Sequence, residues 1–344
     1  MSKKAFLLLT IFAAILFGWP HLHNYPALST GDHGRDLYAF EQVFKGKMVY
    51  KDFWWVYGPL MPYFYGLFYV ILGVKISSVL IAKFILTIGS GVFFFLASSV
   101  VMPASWAFLA ACFFLQVQQD FFFTFNHIGA IFFMMAVLWM ILKYLYQRDL
   151  RFALLALVGC FFIGLVKINF GLSSLVATLL SITLIEILYA KNPKHFITKN
   201  NSLFFITGLV IVPLLLAIIN WFLLKDLTLY EIRQCLPYFG DDQPYHRTPF
   251  ETIPYYLTQH WLTFYHHGLN FLKMLGGFMS PSGNLSDPLV FIIFSLLVTF
   301  SFLTNPVMHG STLADFILAF KNNLKEKKEF WIIQFVIWSF FILN

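Results

Sequence analysis

The residues best placed to do chemistry lie between positions 29 and 73 of the chain. Asp32 stands between Gly31 and Gly34, where backbone without side chains can turn tightly or let a ligand come close. A carboxylate held in such a turn can take a proton from a hydroxyl, or it can simply cap a helix, a role aspartate fills well. Asp36 follows one turn later and can be read as a first-turn acid favoured by the helix dipole. Lys45, Lys47 and Lys51 come next, then Asp52, Trp54 and Trp55. The lysines make a solvated or headgroup-contacting face.

Further along, Lys167 interrupts two apolar blocks. There an ammonium must either snorkel to water or meet an anion. Asp241 and Asp242 could bind a metal or an acceptor hydroxyl, but Gly240 and Pro244 around them favour a turn. Arg247 could grip a phosphate. His260, His266 and His267 lie among Trp261, Phe264 and Tyr265 with no cysteine or carboxylate to complete a ligand set, so an interfacial helix is the better reading. The three cysteines are scattered and show no metal-ligand spacing.

These residues must be positioned by a membrane domain. Charged residues are 11% of the chain and hydrophobic ones 59%, too few polar side chains to cover a water-facing surface. The apolar residues fall in long blocks. A helix needs about 20 of them to cross the hydrocarbon core, and the blocks predict about nine spans, near 5–19, 77–101, 104–119, 127–146, 152–166, 170–190, 203–224, 287–303 and 330–344. The first follows Lys3 and Lys4 and has no small-residue cleavage site after it, so it reads as an uncleaved anchor.

The block 59–73 decides the topology. It is short, tyrosine-rich and holds Pro59 and Pro62, which suits an interfacial or re-entrant segment. If it does not cross, one side of the membrane collects Lys3, Lys4, Lys143, Arg148, Arg151, Lys191, Lys194, Lys199, Lys321, Lys325, Lys327 and Lys328 against far fewer acids. The positive-inside rule then puts the N-terminus in the cytoplasm. Two long segments, about 20–76 and about 225–286, fall outside. The net charge of +7 is thus a topology signal and not a nucleic-acid footprint. In the first outer loop, Leu37, Phe40 and Phe44 predict an amphipathic helix over about 35–45 with Gly46 closing it, and Asp32 just before it at the bilayer boundary. No internal repeat or nucleotide-binding glycine loop is present.

The order of these features resembles the first outer loop of GT-C-type glycosyltransferases, a group that includes protein O-mannosyltransferases, aminoarabinose transferases of lipid A and Rgt-type galacturonosyl transferases. Asp32-His33-Gly34 is similar to that family's Asp-x-Gly, Gly46 to its loop glycine, Tyr50-Lys51-Asp52 to its Tyr-x-Asp, and Pro59 through Gly73 to its juxtamembrane stretch. More weakly, Asp120 stands where members carry a second acid, followed by Asn126 and His127; it can equally mark a span boundary. Gly159, Gly164 and Lys167 resemble a glycine-rich fifth span ending in lysine.

The resemblance covers about residues 1–190 and implies one all-α polytopic domain over 1–344, with juxtamembrane helices in the first outer loop. It implies transfer of a sugar, with inversion, from a polyprenyl-phosphate donor to an envelope lipid, glycan or protein, in a bacterial inner membrane with the active site outside. Asp32 is then catalytic and Asp36 and Asp120 are supporting acids. Lys167 and Arg247 bind the donor phosphate; His33, Tyr50, Asp52, Asp241 and Asp242 make acceptor or loop contacts. No cofactor is required, a divalent metal is permitted, and the partners are the donor, the acceptor and membrane lipids, with no nucleic acid. Members usually run further at the C-terminus, so the expectation is a compact or shortened one. Two other classes stay open: a transporter or lipid flippase, which would want ionisable residues at mid-span and shows no inverted repeat here, and a non-catalytic remnant.

Overall fold

The computed structural model describes residues 2–19, 22, 32–120, 125–189 and 199–235, together with Ile332, Ile333 and Val336. The described chain is mostly helical and contains no strand: α1 (Lys3–Gly18), α2 (Asp32–Phe44), α3 (Leu60–Leu72), α4 (Ile76–Val101), α5 (Ala104–Asp120), α6 (Phe125–Gln147), α7 (Leu150–Val166), α8 (Ile168–Tyr189), α9 (Lys199–Ile206), a π-helical turn (Thr207–Ile211), α10 (Val212–Leu224) and α11 (Leu229–Cys235). Four helical stretches are long and apolar enough to cross a membrane: Ile76–Val101, Phe125–Gln147, Ile168–Ile187 and Leu203–Leu224.

Local chemistry sets the breaks. Met102 is extended ahead of Pro103, whose ring disfavours a helical residue before it, and α4 stops there. At the α6–α7 turn Arg148 takes a left-handed φ of 55°, and Asp149 caps α7 by accepting from the Arg151 N–H at 3.0 Å. Arg148 then reaches Glu186 on α8 at 2.7 Å, where the Tyr144 hydroxyl also donates. The π-helical turn, in which the Val212 N–H bonds Thr207 O, lies just before Pro213; a proline cannot donate and crowds the preceding turn, so the extra residue relieves the clash.

The main core is the packing of α1, α4, α5, α6, α7 and α8, joined by Ile332, Ile333 and Val336. A second core sits at one end of this bundle. It gathers Phe40 from α2, Val49, Phe53 and Trp55 from the following loop, Met61, Tyr65 and Tyr69 from α3, and Phe125 and Ile128 from the start of α6. Helix α3 lies across this end. Just ahead of it, the Gly58 N–H donates to Val166 O at 2.8 Å at the end of α7. In its middle, the Tyr65 hydroxyl reaches Phe125 O at 3.4 Å where α6 begins. Beyond it, Gly73 O accepts from Ser78 Oγ at 2.7 Å in the first turn of α4. Thirteen residues make only about 20 Å of helix, short of a bilayer core. Helix α2 begins at Asp32, three residues earlier than its apolar spacing predicts, and Gly46 (φ 81°) closes it as expected.

Candidate functional site

The second core surrounds a charged cluster. Asp36 is fully buried. Its Oδ1 accepts from Arg35 Nη2 at 3.0 Å and from Nε at 3.3 Å, and its Oδ2 accepts from Asn126 Nδ2 at 3.2 Å. Asp36 is therefore an interior anchor between α2 and α6. A charge removed from water in this way persists only when paired and hydrogen-bonded. Asn126 is also fully buried, and among the described residues its Oδ1 has no donor.

The loop 48–58 packs aromatic side chains on this cluster. Tyr50, at a left-handed φ of 69°, donates through its hydroxyl to Tyr57 O. Asp52 closes a turn by accepting from the Met48 N–H at 2.7 Å, and Trp55 Nε1 donates to Gly58 O at 3.0 Å. Tyr50 and Asp52 thus shape the loop that presents Tyr57. Gly58 must be glycine, because a Cβ there would run into the Leu165 carbonyl. The Lys51 ammonium meets Asp226, just past α10, at 3.1 Å across an exposed surface.

Two cations lie close to the Tyr57 ring: the Arg35 guanidinium 4.9 Å and the Lys167 ammonium 5.4 Å from its centroid. Arg35 also lies 5.6 Å from the Trp55 ring, and Lys167 lies 4.3 Å from Phe170. His127 packs edge-on against Tyr57 and Phe170. Lys167 occupies the single-residue break between α7 and α8, with extended backbone (φ −155°, ψ 114°). The break is tight: a Cβ on Gly171 would meet the Gly164 backbone.

Burial pushes the Tyr65 phenol well above its ordinary value, with the Asp36 charge adding to the effect. Tyr65 stacks on Phe40 and lies edge-on to Phe125, and the neutral hydroxyl is what can donate to Phe125 O. His33 is partly buried and sits edge-on to Phe125, with ring centroids 5.5 Å apart.

Of the site residues the sequence singles out, the structure brings Asp36 and His33, Tyr50 and Asp52 of the loop, and Lys167 to one end of the bundle. Asp32 is the first residue of α2 and Asp120 the last of α5; their side chains lie outside the described atoms. Asp241, Asp242 and Arg247 fall outside the described residues. No group of three metal-ligating side chains occurs among the described residues. Sequence reasoning did not single out Arg35, Tyr57 and Lys83 as site residues. For Lys83 a signal existed: it is the one charged residue within the 26 residues of α4, and an intramembrane ionisable group is a functional-site candidate by default. Compared with known families, curated proteins and solved structures, the chain gives no match.

Proposed function

We propose that the chain is a membrane glycosyltransferase of the GT-C type that takes sugar from a polyprenyl-phosphate donor on the extracytoplasmic side. The observation that carries the reading is the clustering of Arg35 and Lys167 around Tyr57, beside the fully buried Asp36 and at the same end of the bundle as the loop that follows Asp32. That is where a lipid-borne anion can meet fixed positive charge and aromatic faces while a second substrate arrives from water. In this reading the chain crosses the bilayer about nine times with its N-terminus in the cytoplasm, in a bacterial inner membrane, and α3 rests at the outer interface.

The acceptor oxygen attacks the anomeric carbon from the face opposite the phosphate, so the new C–O bond forms as the old one breaks and the configuration inverts. Asp32 takes the acceptor's proton, a role worth roughly 10²–10⁴ in rate. The bonding electrons leave with the lipid phosphate, whose growing charge is met by Lys167, with Arg247 as a second donor. Asp36 acts through Arg35: it holds the guanidinium against Tyr57 and is a positioning residue. Asp120 would support from the end of α5, and His33, Asp241 and Asp242 would contact the acceptor. No step requires a cofactor.

The test is to inactivate the gene, complement with wild type and with Asp32→Asn, and compare envelope glycolipids and glycoproteins by mass spectrometry. Loss of one sugar mass that wild type restores and Asp32→Asn does not is the expected result. Full rescue by Asp32→Asn, or no mass change on inactivation, would overturn the reading.

A further inference from the structure

Lys83 lies seven residues into α4, about 10 Å along the helix from its start. It is partly buried, and its ammonium points inward to within 5.9 Å of the Phe125 ring centroid. No carboxylate among the described residues comes within ion-pair distance of it. A lysine that only snorkels would direct its charge to water along the lipid face. This one turns into the bundle, beneath the aromatic second core.

The other cations at this end stand elsewhere around α6. Helices α4 and α7 both pack along α6. On its first turn, Phe125 is the residue facing Lys83, while His127 faces Tyr57 and Phe170, the neighbours of Lys167. Residues two apart on a helix point about 200° apart, so the two ammonium groups attend different sides of α6. Around Lys83 helix α4 is apolar: Val79, Leu80 and Leu86 on the lysine's own face are buried, and Ile81 and Ile85 on the opposite face are exposed. A group reaching Lys83 at this depth travels with hydrocarbon chains, not with water.

We infer that Lys83 forms a second anion-binding subsite, which takes the phosphate or carboxylate of an anionic lipid entering beside α3 and α4. This deepens the transferase reading and rests on it for one point alone, that the lipid bound there is the second substrate. The two readings make separate demands: a lipid phosphate at Lys167 for the donor, and an independent anionic lipid at Lys83.

Thermal unfolding of the purified full chain in a neutral detergent separates them. Phosphatidic acid and oleate are titrated as phosphate and carboxylate lipids, phosphatidylcholine as the lipid of no net charge, inorganic phosphate as the free ion, and farnesyl phosphate as the donor-like probe. At least one anionic lipid should raise the melting temperature of wild type saturably, beyond phosphatidylcholine. Lys83→Met should need at least about tenfold more of it, as expected for loss of one charge-assisted contact. Lys83→Arg, which keeps the charge, should titrate close to wild type and guards against a misfolded Met variant. Farnesyl phosphate, which the Lys167 site takes in the transferase reading, should still stabilise Lys83→Met, and should stabilise Lys167→Met less than wild type. Identical anionic-lipid titrations for wild type and Lys83→Met, or no gain over phosphatidylcholine, would overturn the subsite. The same Lys83-dependent shift from inorganic phosphate alone would overturn its lipid character. Absence of any farnesyl phosphate effect would instead count against the transferase reading and leave the subsite standing.

Discussion

Removing Arg35 should cost more than removing any other exposed-edge cation of the fold, because of what it leaves behind. Arg35 keeps 20% of its side chain exposed, whereas Asp36 is at 0%. In Arg35→Met the carboxylate stays buried and loses the guanidinium's charge, while keeping Asn126 Nδ2 at 3.2 Å as a donor. Breaking a buried pair from one side typically costs about 3–5 kcal/mol. The partial exposure of Arg35 argues for the lower end, about 3 kcal/mol, and loss of the guanidinium's contacts with Tyr57 and Trp55 adds about 0.5–1 kcal/mol. Asp36→Asn should cost less, about 1–2 kcal/mol, because the freed guanidinium can turn toward solvent while the buried amide can still bond Asn126. In the double variant no charge is left buried, so its cost should fall short of the sum of the singles by about 1–3 kcal/mol. Denaturant unfolding in detergent micelles, read for all four proteins under one set of conditions, gives the cycle. A cost below about 1 kcal/mol for Arg35→Met, or a strictly additive double variant, would refute the claim that this pair anchors α2 to the bundle.

Gly58→Ala should lower stability by about 2 kcal/mol or more, since the added Cβ meets the Leu165 carbonyl and endangers both the Gly58 N–H bond to Val166 and the Trp55 bond to Gly58 O; a melting temperature equal to wild type would contradict the loop's docking on the α7–α8 break. At the start of α11, the Thr228 N–H and hydroxyl both donate to Glu231 Oε2, at 2.7 and 2.8 Å, and hold the Glu231 carboxyl below its ordinary value. The sign follows from that direction: the contribution is complete above the usual glutamate range and is lost as pH falls through the lowered folded value. Amide exchange over residues 229–235 should therefore speed up at low pH beyond its intrinsic dependence, and less so in Glu231→Gln; identical pH profiles for the two proteins would refute it.

The span edges were legible because a bilayer demands length, and because the residues that stop these helices act locally. Pro103, Asp149 and Lys167 each end or start a helix within one residue of its observed limit. Helix α2 was legible as an amphipathic helix, but its start was not. Gly34 suggested a loop, whereas the chain carries the helix back to Asp32. The role of Asp36 could not be read from spacing, since it depends on Asn126, ninety positions away and brought close only by packing. Lys167 left two readings open in sequence, snorkelling or anion contact, and the aromatic pair Tyr57 and Phe170 beside it becomes visible only once the loop is docked. Tyr57 itself was lost among many tyrosines, because nothing in its local sequence announces a ring near two cations.

One end of the bundle gathers positive charge around an aromatic core, and that argues for where the work is done. At the end where α6 stops and α7 starts, Arg148 is paired with Glu186 on α8, and Arg151 with its own cap residue Asp149. At the other end α4, α6 and α8 all begin, so their dipoles present partial positive charge there. Lys83 and Lys167 reach the same end and lie against aromatic rings, while the carboxylate of Asp36 is already engaged by Arg35 and Asn126. Helix starts and ammonium groups thus add with the same sign around one aromatic core. A surface of that kind favours an anion that brings its own apolar chain, since phosphate alone would gain the charge contact but leave the aromatic faces unmet.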